Sequence, residues 1–141
     1  MGIDSVDGFE TWYRDEHPRV LAAMAVVARD TDVAKEVTAE AFARALERWD
    51  RVSTMDSPGG WTHRVALNLV RRRARRAAVE RRLLPRLAPP PVVAVPAHAV
   101  EVWQAVTDLP PRMRTAVALR YLGGLTEAEV ADTMGIAPGT V

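Results

Sequence analysis

The sequence predicts an all-α protein made of two small helical domains joined by a proline-rich linker, and three observations predict it. Apolar residues recur at i, i+3 and i+4 through most of the 141 residues, the period of a helix with one buried face. Turn chemistry punctuates that period at Asp30-Thr31-Asp32, at Asp50 to Gly60, at Gly123-Gly124 and at Gly135. Between Leu83 and His98 the chain reads LLPRLAPPPVVAVPAH, whose five prolines disfavour regular structure and extend the backbone. The predicted domains are residues 8–82 and 99–141, with residues 83–98 between them.

In the first segment, Phe9, Trp12, Tyr13, Val20, Leu21, Met24, Val27 and Ala28 share the helical period. Pro18 interrupts it. Proline fits best in a first turn, so the pattern predicts a kink or two helices, the second starting near Pro18. The aromatics lie on the apolar period, which makes them core rather than a binding box. Asp30-Thr31-Asp32 then offers N-cap candidates for a helix running to about Trp49. Its apolar face is Val33, Val37, Ala41, Phe42, Ala45 and Trp49, and its polar face carries Lys35, Glu36, Glu40, Arg44, Glu47 and Arg48. Taken alone, these are ordinary solubilising charges worth tenths of a kcal/mol. Asp50 to Gly60, DRVSTMDSPGG, reads as loop throughout.

The stretch from Trp61 to Arg82, WTHRVALNLVRRRARRAAVERR, is the most densely basic part of the chain. Counted through Arg86, it holds nine arginines (64, 71, 72, 73, 75, 76, 81, 82 and 86) against one acid, Glu80. The other ten basic residues face seventeen acids, so the net charge of +1 conceals a polarised molecule. Arg64, Asn68, Arg71 and Arg75 fall within a helical sector of about 60°, apart from an apolar stripe of Trp61, Val65 and Leu69. After Val70 the arginines spread around the helix, as expected of an end that projects from the body. Such clustering points to a polyanion, nucleic acid first. The competing reading is a solvated face in a composition with eighteen arginines to one lysine. Trp61 suits either the core stripe or base stacking, with the core favoured. His63 reads as an incidental surface residue.

The second domain opens with Val100, Trp103 and Val106 on one face, and Leu109-Pro110-Pro111 ends that helix. Another runs from Pro111 to about Leu122, where Gly123-Gly124 stops it. Thr126-Glu127-Ala128-Glu129 is a capping box: Thr126 accepts from the Glu129 amide, and the Glu129 side chain reaches back to the Thr126 amide. The short helix it launches passes Val130, Ala131 and Met134 to Gly135, a C′ candidate. Thr140 stands ready to cap the next. A short helix, a glycine turn and a second capped helix outline a helix-turn-helix.

Composition removes several function classes. The chain has no cysteine, which excludes disulfides, thiolate metal sites and cysteine nucleophiles. Its longest apolar run, Val20 to Ala28, falls far short of the roughly 18 residues of a membrane span. The N-terminus MGIDSVDGFE is acidic and carries no signal-peptide apolar core. A cytoplasmic protein without membrane insertion is expected. The three histidines (17, 63 and 98) are scattered, and neither a Gly-rich phosphate loop nor metal-ligand spacing is present. Neither catalysis nor a metal or cofactor is therefore expected.

The phrase LPPRMRTAVALRYLGGLTEAEVADTMGIAPGTV closely resembles region 4 of the sigma-70 family, in the small extracytoplasmic-function (ECF) type common in actinobacteria. SPGGWTHRVALNLVRRRARR resembles the end of region 2, and DVAKEVTAEAFARALERW the polymerase-binding helix before it. The resemblance spans nearly the whole chain, with the proline-rich segment standing as the inter-domain linker. It implies a sigma factor: a non-enzyme that binds core RNA polymerase, recognises promoter DNA and helps melt the −10 region, with an anti-sigma factor among its partners. It further implies that Glu36, Glu40 and Arg44 meet the polymerase clamp, and that the loop Val52 to Gly60, with Ser57, captures an unstacked base. Trp61, Arg64, Asn68, Arg71, Arg72 and Arg75 would meet the −10 strand and flanking phosphates, and Thr140 would be the residual −35 contact.

Two departures stand out. Lys35-Glu36 followed by Ala39 replaces the family's acidic pair and later Gln. The sequence also reaches Val141 where the recognition helix would begin, so the resemblance implies a helix-turn-helix without its reader. Two other classes are weighed: a sigma-like interaction protein that binds polymerase or an anti-sigma factor without initiating, and a generic helix-turn-helix repressor. The repressor fits poorly, because the basic density lies outside the helix-turn-helix.

Overall fold

The computed structural model describes residues 3–83 and 100–141, and within them the chain is helical with no strand. The first half consists of α1 (Ile3–Ala28), α2 (Thr31–Glu47), the single turn α3 (Trp49–Val52) and the long α4 (Pro58–Leu83). The second half holds α5 (Val100–Thr107), α6 (Pro111–Val117) continuing as a π turn over Ala118–Leu122, α7 (Glu127–Met134) and a closing 3-10 turn, Pro138–Thr140. Of the proposed linker, all but Leu83 lies outside the described residues.

α1 runs as one helix through Pro18, so of the two alternatives expected there the fresh start does not occur. Pro18 is exposed, so the carbonyl it fails to serve can turn to water while the buried face holds the helix together. That face is Val20, Ala23, Met24 and Val27, all fully or nearly buried. Arg29 ends α1 in the left-handed region at φ 54°, and Asp30, extended, caps α2 by accepting from the Asp32 and Val33 amides at 3.0 and 3.1 Å. This two-residue reversal sets α1 and α2 side by side, as the N-cap signature predicted.

α2 ends at Glu47, slightly short of expectation, because Trp49 belongs to α3 and is buried. The expected loop also contracts. Asp50 to Val52 are helical, and Pro58, Gly59 and Gly60 already belong to α4, leaving only Ser53 to Ser57 between helices. Turn-forming residues hid this start: proline at the first position with serine before it is equally a helix opening. Aromatic rings fill the space behind: Phe42 lies 5.2 Å from Trp12 and 4.9 Å from Tyr13, and Trp49 lies 5.3 Å from Phe9 and 4.9 Å from Trp12, centroid to centroid. The N-terminal aromatics are core, as their period indicated.

The face that α4 buries differs from the expected stripe. Leu69 is buried, but Trp61 and Val65 are only half covered, and the deepest residues are Thr62, His63, Ala66 and Leu67. α4 lies against α1 and α2 and also meets the second half. From that half, Ala118, Leu119, Leu125 and Val130 join Val20, Met24, Phe42, Leu67 and Val70 in one continuous core. α4 therefore buries two adjoining stripes, one toward α1 and α2 and the other toward α7. Arg114 tightens this union, donating to the carbonyls of Leu109 at 3.2 Å and of Val27, in the last turn of α1, at 3.4 Å. A cation there meets the negative end of the α1 dipole. Among the described residues, no helix is long and apolar enough to cross a membrane.

Candidate nucleic-acid interface

The interface begins with how α4 starts. Ser57 Oγ accepts from the Gly60 amide at 3.0 Å, and Pro58 fills the first helical position, so the helix opens with its free N–H groups directed at the Ser53 to Ser57 loop. Thr62 is held by its hydroxyl donating to the Pro58 carbonyl at 2.8 Å. From this fixed start, Arg64, Asn68, Arg71 and Arg75 emerge on one exposed face, as the helical sector predicted. Arg72 is exposed beside them. Beyond Val70 only Arg73 and Ala77 are even partly covered, so the basic end of α4 does project from the body.

His63, expected at the surface, is completely buried. It sits on the inner stripe with Ala66, Leu67 and Val70, a spacing legible in the sequence. Nδ1 donates to the Gly59 carbonyl at 2.7 Å, and Glu16 Oε1 lies 3.8 Å from the same atom. Nε2 has no hydrogen-bond partner. Burial, the largest influence, pushes the imidazole below its ordinary value against the opposing pull of the Gly59 carbonyl. Burial likewise raises the Glu16 carboxyl, partly countered by Arg19. A neutral imidazole therefore plugs the junction of the two halves.

Trp61 is half-buried and packs against Ala45, Trp49 and Val52, so its ring is largely spent on the core. Ser57, Trp61 and Arg64 line an open cleft of about 360 Å³ whose far wall is α7, through Ala128, Glu129, Asp132 and Thr133. Asn68, Arg71, Arg72 and Arg75 lie further along α4, outside it. Ser57 Oγ donates to Glu129 Oε2 at 2.6 Å across the cleft. The capping box thus forms in part. Thr126 accepts the Glu129 amide at 3.1 Å, but the Glu129 side chain accepts from the Thr126 hydroxyl and from Ser57 instead of reaching the Thr126 amide. Gly135 closes α7 in the left-handed conformation at φ 69°, as its C′ reading required.

On α2, Glu36 pairs with Arg73 of α4, and Glu40 accepts from Arg44 at 2.7 Å. All three candidates share the outer side of the molecule, with the Glu36 pair tying α2 to the basic helix. Thr140 is exposed in the terminal 3-10 turn. Sequence reading missed Glu129 as a bridge to Ser57, Asp132 facing Arg64, and Arg114 at the end of α1. No local signal marks any of them, since each acts across the join between halves.

Known proteins agree with this architecture. Residues 12–79 match the family model for sigma-70 region 2, and residues 99–141 match that for sigma-70 region 4. Among solved structures, the chain is similar to the sigma factor RpoE of Bartonella quintana, crystallised with the anti-sigma factor NepR. The TM-score is 0.82 at 18% identity, over 94% of this chain and 86% of that one. No curated protein matches the sequence. With the region 2 model ending on the exposed basic stretch of α4 and the region 4 model beginning at α5, the chain belongs to the sigma-70 family of transcription initiation factors.

Proposed function

We propose that this sigma factor, of the ECF type, binds core RNA polymerase and directs it to a promoter, meeting the −10 strand with α4 and the Ser57 loop. The observation that carries the assignment is the exposed row Arg64, Asn68, Arg71 and Arg75, continuous with a helix N-terminus. Arginines there supply salt-sensitive attraction to phosphate, while the Asn68 amide and the loop offer hydrogen bonds to a base edge. Glu36, Glu40 and Arg44 are the proposed clamp contacts, and Thr140 is the proposed −35 contact. Such a role needs no catalysis by this chain and belongs in the cytoplasm. An anti-sigma factor is a further proposed partner, supported by the complex in which the similar RpoE was crystallised.

The test is a core-polymerase pull-down paired with a fork-junction promoter assay. Initiation requires both binding and a promoter-dependent open complex. Binding without any open complex reduces the protein to an interaction factor. Loss of both in a folded chain overturns the proposal.

A further inference from the structure

His63 is completely buried, and its two ring nitrogens meet different halves of the molecule. Nδ1 is held by the first half: it donates to the Gly59 carbonyl at 2.7 Å and lies 3.8 Å from Glu16 Oε1 of α1. Nε2 faces the second half, where the backbone at Gly123 comes so close that a Cβ there would lie 2.7 Å from it. Nε2 has no hydrogen-bond partner. The Leu119 carbonyl oxygen, 2.7 Å from the same Cβ position, already accepts from the Leu125 amide at 3.1 Å. A neutral ring leaves Nε2 as a bare acceptor, which the site tolerates. An imidazolium carries a proton there and needs an acceptor for it, and water can supply one only if the turn at Gly123 moves off the ring.

We propose that the join between the halves is an acid-sensitive latch: a proton on Nε2 of His63 releases the π turn and Gly123 from α4, while α1, α2 and α4 stay packed. The inference goes beyond the promoter reading and makes no use of it. The asymmetry of the ring decides where the structure gives. The Gly59 bond survives protonation, so only the side facing Gly123 is left in need. The charged groups that act on the ring are Glu16 and Arg19 of α1 and Glu129 of α7. Glu129 favours the imidazolium and Arg19 opposes it, and burial outweighs both. The buried residues of α2 are uncharged, and Arg120 of the π turn is exposed and donates to the Leu125 carbonyl at 3.1 Å. Once the second half leaves, the ring meets water and regains its ordinary 6.5, whereas the docked ring resists the proton. The undocked-to-docked ratio is therefore level above about pH 6.5 and climbs below it, by at most about tenfold per pH unit for one proton.

The test uses the full chain with one reporter thiol at a time, unique in a protein that has no cysteine. Ala118→Cys sits in the π turn at the join and Ala34→Cys on the buried face of α2, both positions 0% exposed. Labelling by dithiodipyridine, divided at each pH by the rate for the same thiol in the urea-unfolded chain, reads how often each site opens. Between about pH 7.5 and 5.5 the Ala118→Cys site should open up to about tenfold more often, the effect of one proton taken up below 6.5, while Ala34→Cys stays level. His63→Asn, whose amide still donates to Gly59 but takes no proton, should abolish the rise at Ala118→Cys. Glu16→Gln, which removes the neighbouring titration, should keep it. Equal rises at the two thiols mean general loosening and overturn the proposal, as does no rise at either. A rise that survives His63→Asn, or that vanishes in Glu16→Gln, overturns it too. Should His63→Asn leave Ala118→Cys open at every pH, nitrogen NMR of the imidazole in the native protein decides. A docked ring that stays neutral below about pH 6.5 while protection at Ala118→Cys falls upholds the latch. A ring that protonates near its ordinary 6.5 with Ala118→Cys still protected overturns it.

Discussion

The imidazole of His63 and the backbone of Gly123 touch across the join between the two halves, so closely that a methyl group on Gly123 would lie 2.7 Å from Nε2. The same methyl would lie 2.7 Å from the Leu119 carbonyl oxygen. One obstacle is a buried ring and the other is backbone, so neither can yield cheaply. Gly123→Ala should cost about 1–3 kcal/mol, the usual scale of overpacking. Thermal unfolding checks it. A double-mutant cycle with His63→Ala should show the two losses to be less than additive, since the second change removes one of the clashes.

His63 also sets a pH dependence. Its pKa is lower in the folded protein than its ordinary 6.5, so the unfolded chain takes up a proton that the native state resists. Stability is therefore undiminished above about pH 6.5 and falls as pH drops below it. Glu16, raised by burial, acts in the opposite sense, taking up its proton more readily in the folded state as pH falls toward its ordinary 4.5. Unfolding midpoints measured between about pH 7.5 and 5.5 should fall in the native protein and fall much less in His63→Asn, whose amide can still donate to Gly59. An equal slope in the two would remove His63 as the cause.

Charge reversal at Arg71 and Arg75 should weaken promoter opening and leave polymerase binding intact, because both lie on the exposed face of α4 away from α2. Affinity for −10 DNA should also fall steeply with salt, log K declining with log salt by somewhat less than one unit per phosphate contact, at about 0.7 for a single strand. A flat salt dependence would argue against phosphate contacts at this helix.

The Glu36–Arg73 pair separates stability from binding. Both partners are partly solvent-exposed, so Arg73→Ala should cost less than about 1 kcal/mol in urea unfolding. Glu36→Gln should weaken core-polymerase capture at equal stability if Glu36 faces the clamp. Equal capture by the two proteins would remove Glu36 from that surface.

Phe42 is the keystone of the aromatic cluster, 3% exposed and flanked by Trp12, Tyr13 and His17. Phe42→Ala should lower unfolding free energy by about 3–5 kcal/mol, a large fraction of what a domain of this size possesses. Urea denaturation reads it directly, and a loss below 1 kcal/mol would mean that the cluster is not the core of the first half.

What the sequence determined by itself was everything that acts within a few helical turns. The helical period, the Asp30 and Thr126 caps, the Gly135 stop and the outward row of Arg64, Asn68, Arg71 and Arg75 depend on neighbours at i to i+4, and each is where local chemistry put it. The tertiary structure decided what lies opposite. Packing on α1 and α2 turns the inner stripe of α4 into core, and the docking of the second half sets Gly123 against His63 and carries Glu129 to Ser57. Pro18 belongs with these, since packing along α1 outweighs one lost backbone bond at an exposed turn. Contacts between distant segments are set by which apolar faces find each other, and no spacing along one helix records its partner on another.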